Sequence, residues 1–119
     1  MIRALPPVID LALVVVFAIL GRASHAEALS LGGIATTLWP FAVGCVFAWV
    51  IIGLLGDSGL GLRAAAIIWL VTWLGGLGLR VTFGGTAAVA FIIVAGSFLL
   101  LSLGGWRLIF WLVRRRRTS

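Results

Sequence analysis

Long apolar stretches without a single charge divide this chain. Leu11–Gly21 holds 11 uncharged residues, Ala28–Gly56 holds 29, Ala64–Leu79 holds 16 and Val81–Trp106 holds 26. A hydrocarbon core roughly 30 Å thick needs about 20 predominantly apolar residues per crossing helix. The pattern predicts four membrane-spanning helices, over about 6–21, 30–55, 62–81 and 86–113. Short loops between them predict an all-α, integral-membrane, antiparallel four-helix bundle, with residues 1–119 forming one transmembrane domain.

Local signals place the ends. Pro6-Pro7 suits a first helical turn, where the missing N–H would be unbonded anyway. Asp10 then falls early in the helix, near the positive end of its dipole. Ser30 is an N-cap residue for the second helix. That helix contains Pro40, which frees the Thr36 carbonyl and predicts a kink, with Thr36 and Thr37 hydroxyls nearby to re-satisfy the backbone. Gly56-Asp57-Ser58-Gly59-Leu60-Gly61 is turn chemistry. Val81-Thr82-Phe83-Gly84-Gly85 reads as the tight connection before the fourth helix. That last helix exceeds a perpendicular span, so it tilts or projects.

Composition closes off the soluble alternative. Of the 119 residues, 63% are hydrophobic and 10% are charged, against about 45–50% and 25% in soluble domains. The net charge is +6, from nine basic residues, all Arg, and three acids. This is no nucleic-acid footprint, because Arg114 to Arg117 directly follow an apolar helix. Such a cluster anchors topology and meets anionic headgroups. The first 22 residues resemble a signal peptide, but Asp10 interrupts them and no clear Ala-x-Ala site follows.

With an even number of spans, both termini share a side. Arg3, Arg63, Arg107 and Arg114 to Arg117 fall there; Arg22 and Arg80 fall opposite. The positive-inside rule then predicts cytoplasmic termini. Trp106 and Trp111 are expected in the inner interfacial belt, and Trp39 towards the outer one.

Two groups of residues are candidates for chemistry. At the outer end, Arg22, His25 and Glu27 lie between the first two helices, and Arg80 ends the third on the same side. His25 titrates near physiological pH and can exchange a proton with Glu27. Arg22 and Arg80 can bind an anion or pin Glu27. The competing reading is a solvated loop that marks the membrane boundary. At the inner end, Asp10 and Arg107 reach one depth, and a structural ion pair is expected to lock the first helix to the last. Arg63 and Asp57 are candidates to join it.

Gly44 and Ala48 form a small-xxx-small step, and Gly75, Gly76 and Gly78 thin one side of the third helix. Close packing is their simplest role. One His and one Cys make no zinc site, and Cys45 reads as a small buried hydrophobe. No metal, cofactor or catalytic signature is present.

Gly21-Arg22-Ala23-Ser24-His25, Trp39-Pro40-Phe41, Gly85-Thr86-Ala87 and Gly105-Trp106-Arg107-Leu108 together resemble the domain-of-unknown-function family numbered three thousand and fifty-four. These are short four-span prokaryotic membrane proteins. The resemblance covers nearly the whole chain and implies the four-span fold but no activity. It places Asp10, Arg22, His25 and Arg107 inside the recurrent segments. The expectation is therefore a multi-pass protein of the prokaryotic inner membrane, not an enzyme and not a nucleic-acid binder. Its partners are the bilayer and either its own copies or a larger membrane complex. Two functions fit: a small transporter or permeation unit using the outer Arg/His/Glu cluster, or an accessory or assembly subunit. A water-reachable cavity running from the outer cluster towards Asp10 would favour the first.

Overall fold

In lipid a backbone is satisfied only in helices or closed barrels, because no water is present to take up unpaired N–H and C=O groups. Uncharged stretches of this length fit helical spans rather than barrel strands of about 9–11 residues. The computed structural model describes residues 4–24 and 30–118. It contains α1 (Leu5–Ser24), α2 (Leu31–Leu54), α3 (Leu62–Thr82) and α4 (Val89–Leu99). A π-helical turn, Leu100–Gly104, joins α4 to α5 (Gly105–Thr118). The α4–π–α5 unit is one continuous span, giving four helices long and apolar enough to cross a membrane. Among the described residues there is no strand. The protein is a multi-pass, four-helix membrane protein.

The helices run antiparallel. Leu5, Leu54, Leu62 and the Arg-rich end of α5 gather at one end, here the terminal end. Ser24, Leu31, Thr82 and Val89 meet at the opposite end. The long dimension is 48 Å, close to the roughly 40–45 Å of a bilayer with its headgroups.

Capping matches the chain signals closely. Ser30 accepts the Gly33 N–H at 3.0 Å and starts α2. α2 and α3 both end in Schellman motifs. At α2, Gly56 (φ 67°) donates to the Gly53 carbonyl and Asp57 to that of Ile52. At α3, Gly84 (φ 93°) donates to the Val81 carbonyl and Gly85 to that of Arg80. The connection after α3 therefore comprises residues 83–88, and α4 starts at Val89, three residues later than its apolar pattern suggested. α2 continues through Pro40 to Leu54. The expected hydroxyl rescue takes another form. Thr36 donates to the Gly32 carbonyl at 2.8 Å, and Thr37 accepts from Arg22.

The most extensive packing is between α2 and α3. Gly44 and Ala48 are buried there. A Cβ on Gly44 would press on the Val71 and Thr72 carbonyls, and one on Gly76 would enter the Phe41 ring. Small residues thus set this helix separation, as membrane helices commonly require.

Indole donors tie α3 to α4. Trp69 Nε1 donates to the Gly96 carbonyl at 2.9 Å, and Trp73 Nε1 to that of Ile92 at 3.0 Å. The two rings stack at 5.3 Å, one helical turn apart. Gly96 carries no Cβ where the Trp73 ring lies.

Candidate functional site

Polar chemistry is concentrated at the two ends of the bundle. At the terminal end, Asp10 on α1 is fully buried and Arg107 on α5 is only 3% exposed. The carboxylate and guanidinium meet end-on, through both Nη nitrogens. Arg107 Nη1 donates to Asp10 Oδ1 at 2.8 Å and Nη2 to Oδ2 at 2.6 Å. Each oxygen also accepts an indole: Trp106 Nε1 reaches Oδ1 at 2.8 Å, and Trp49 Nε1 reaches Oδ2 at 2.9 Å. A carboxylate offers about four acceptor positions, and all are used.

Arg107 is equally committed. Its Nε donates to the Gly59 carbonyl at 2.8 Å, and its Nη1 also to the Leu103 carbonyl at 2.9 Å. Its guanidinium carbon lies 4.6 Å from the centroid of the Trp106 ring. Leu103 lies within the π turn, where the backbone ladder is spaced by five residues rather than four. Arg107 thus joins α1, the α2–α3 loop and its own helix.

The loop is shaped for this contact. Asp57 Oδ1 accepts the Gly59 N–H at 2.8 Å, folding the turn back. Gly59 has φ 82°, and the Trp49 ring fills the space its Cβ would need. Arg63 does not join the buried pair. It forms a separate bridge to Asp57 Oδ2 at 2.8 Å, with an exposed guanidinium. The Gly59 N–H first, then Arg63, hold the Asp57 carboxyl below the ordinary aspartate value. Trp106, expected in the inner belt, is half-buried at the terminal end and gives its N–H to Asp10. Trp111 is 53% exposed, as a belt residue would be.

At the opposite end a cavity of about 180 Å³ opens. Gly21 and Arg22 of α1, Thr37 of α2 and Arg80 of α3 line it, with Thr86, Ala88 and Phe91 from the following connection and α4. Arg22 Nη1 donates to Thr37 Oγ1 at 3.2 Å. Arg80 Nε donates to the Thr86 carbonyl at 2.7 Å, and its guanidinium carbon lies 4.7 Å from the Phe91 ring centroid. Two glycines make room for these cations. A Cβ on Gly33 would collide with the Arg22 guanidinium, and one on Gly85 with the Arg80 side chain and carbonyl.

Beneath the cavity lies an aromatic floor. Phe91 packs with Phe17 and Phe41, each at 6.2 Å between centroids. Phe17 also packs with Phe41 at 5.0 Å and Phe98 at 5.8 Å. Buried Val14, Cys45, Leu99 and Leu103 lie deeper. The cavity therefore does not run to Asp10, as a continuous polar path would require.

Of the outer residues singled out by sequence, Arg22 and Arg80 line one cavity, while His25 and Glu27 lie outside the described residues. Trp49, Gly59 and Trp106 were missed as partners of Asp10 and Arg107. Thr37, Thr86 and Phe91 were missed at the cavity. Among the described residues no group of His, Cys, Asp and Glu could hold a metal ion.

Four apolar spans, a buried ion pair at one end and an arginine-lined cavity at the other define a polytopic membrane protein. The chain belongs to DUF3054, described as a protein of unknown function, which matches residues 7–110. No curated protein and no solved structure matches it.

Proposed function

We propose that the protein is a small permeation unit for anions in the plasma membrane of a prokaryotic cell. Its termini face the cytoplasm, and the Arg22/Arg80 cavity faces outward. The observation that carries this reading is the cavity itself. Two arginines and two threonines, Arg22, Arg80, Thr37 and Thr86, line a space of about 180 Å³ at the end of a membrane bundle. Ionisable groups within a membrane protein are costly and concentrate along substrate pathways.

On this reading the other end is closed. The aromatic floor and the Asp10–Arg107 pair stand between the cavity and the cytoplasm, so the fold corresponds to an outward-open, inward-closed state. Passage then requires the floor rings to part and the buried pair to separate or shift.

The test is flux. Purified protein in liposomes should release a trapped anion faster than empty liposomes, and Arg80→Gln should remove most of that gain. Wild-type flux no faster than that of empty liposomes rejects the permeation reading. One observation favours the alternative of an accessory or assembly subunit: the floor rings leave the cavity blind. Purification from native membranes with a stoichiometric partner, together with absent flux, selects that alternative.

A further inference from the structure

The cavity chemistry separates one class of anion from the rest. Arg80 is held by its Nε on the Thr86 carbonyl and by its face on Phe91. Among the described residues its two Nη nitrogens make no hydrogen bond. A fixed Nη1–Nη2 edge matches the two coplanar oxygens of a carboxylate. Arg22, tied to Thr37, supplies a second positive charge at the same cavity.

Besides the two arginines, the lining's polar side chains are the Thr37 and Thr86 hydroxyls. Gly21, Ala88 and Phe91 present apolar surface, and the Thr86 carbonyl is already occupied by Arg80. Phosphate or sulfate, with oxygens on every side, would set some of them against the Phe91 and Ala88 side of the lining, which offers no side-chain donor, and an unpaired polar group there is unfavourable. A carboxylate puts its oxygens on one side and its carbon chain on the other. The floor sets the length: Phe91 packs on the Phe17 and Phe41 rings, so a chain laid along Phe91 is stopped after a few carbons.

From these residues we infer that the cavity binds a short-chain monocarboxylate, its oxygens on the Arg80 Nη edge and its carbon chain against Phe91. This deepens the proposed function and rests on it, since it names the anion class of the same cavity.

The test reads binding, apart from flux. The full chain in detergent is titrated with sodium acetate, propionate and butyrate at fixed ionic strength. Chloride, phosphate and sulfate are titrated in parallel, and thermal unfolding reports occupancy. The expected result is saturable protection by the carboxylates, with the half-saturating concentration falling about fourfold per added methylene. Arg80→Lys keeps the charge but loses the paired nitrogens, and should weaken butyrate at least tenfold. Thr37→Val, which leaves Arg80 untouched, should retain the gain per methylene.

Saturable protection by phosphate, sulfate or chloride without the carboxylates overturns this class and leaves the anion reading standing. Protection by no anion overturns both. Carboxylates that bind equally at every chain length overturn the contact with Phe91. An affinity that continues to rise through octanoate to dodecanoate assigns the cavity to bilayer fatty acids and overturns the short acid. If Arg80→Lys fails to fold, the wild-type chain-length series still decides between these outcomes.

Discussion

Gly59 gives its carbonyl to Arg107 Nε at 2.8 Å, joining residues 48 apart in the chain. The contact fastens the α2–α3 loop beneath the ion pair that ties α1 to α5. It depends on a backbone conformation with φ 82° and on the absence of a Cβ where the Trp49 ring lies.

Gly59→Ala should therefore be costly for two separate reasons. The left-handed conformation alone costs an L-residue about 1–2 kcal/mol, and the Trp49 ring must also move. A fall in the detergent unfolding midpoint is expected, larger than for Gly61→Ala, where a Cβ meets open space. Equal effects at the two glycines would show that the loop is not clamped in this way.

Asp10→Asn and Arg107→Gln should each destabilise strongly. Removing one partner of a buried pair typically costs about 3–5 kcal/mol, because the other charge stays buried and uncompensated. The double variant should lose less than the sum of the two. Arg107→Lys should not rescue, since an ammonium cannot serve both oxygens of Asp10 and the Gly59 carbonyl in this planar arrangement. Additive losses in thermal unfolding would contradict the direct pairing.

Asp57 predicts an acid-side dependence. Its carboxyl is held below its ordinary value by the Gly59 N–H and Arg63. A group depressed on folding stabilises above its unfolded pKa and loses that contribution as pH falls through the folded one. Wild-type stability should thus decline as pH drops below about 4, and Asp57→Asn should flatten that part of the profile. Unfolding midpoints from pH 6 down to 3 measure it. An unchanged profile in the variant would assign the decline to other groups.

Orientation is open to a direct test. A reporter active only outside the cytoplasm, fused after Ser119, should be silent. The same reporter placed in the 83–88 connection should be active. The reverse pattern would place the arginine cavity on the cytoplasmic side.

Gly96→Leu should pry α4 from α3, because its side chain would enter the Trp73 ring. The Trp69 and Trp73 donors would then lose the Gly96 and Ile92 carbonyls. Loss of the folded monomer peak on detergent gel filtration, or a large fall in unfolding temperature, is the expected outcome. Wild-type behaviour would mean that α4 is not seated on these rings.

The helices were legible because charge is so scarce that each uncharged stretch nearly marks a span. Asp10 and Arg107 were legible as a pair for the same reason, since few charges were left to match across antiparallel helices. Their indole partners were not. Trp49 sits in apolar surroundings in the sequence and Trp106 beside Arg107, but only three-dimensional packing turns an indole N–H towards a carboxylate. Gly59 was visible as a turn residue, but its service to Arg107 depends on a carbonyl direction that spacing does not encode. The π turn has no signature in Leu-Leu-Ser-Leu-Gly. Arg22 and Arg80 were correctly placed at one end by topology alone. Their cavity was hidden because it depends on Gly33 and Gly85 leaving space, and each reads as an ordinary loop or helix-start glycine.

The ribosome delivers a chain in order, and Asp10 emerges 97 residues before the cation that neutralises it. Until the last helix arrives, α1 carries an uncompensated acid near the edge of the membrane. Translation thus imposes a waiting period, in which the first helix stays shallow, at the lipid–water boundary, or is sheltered by the insertion machinery. Completion of synthesis and final seating of α1 then become a single event. A chain cut short before Arg107 would expose its unfinished state as a stranded carboxylate, which gives membrane quality control a chemical mark to read.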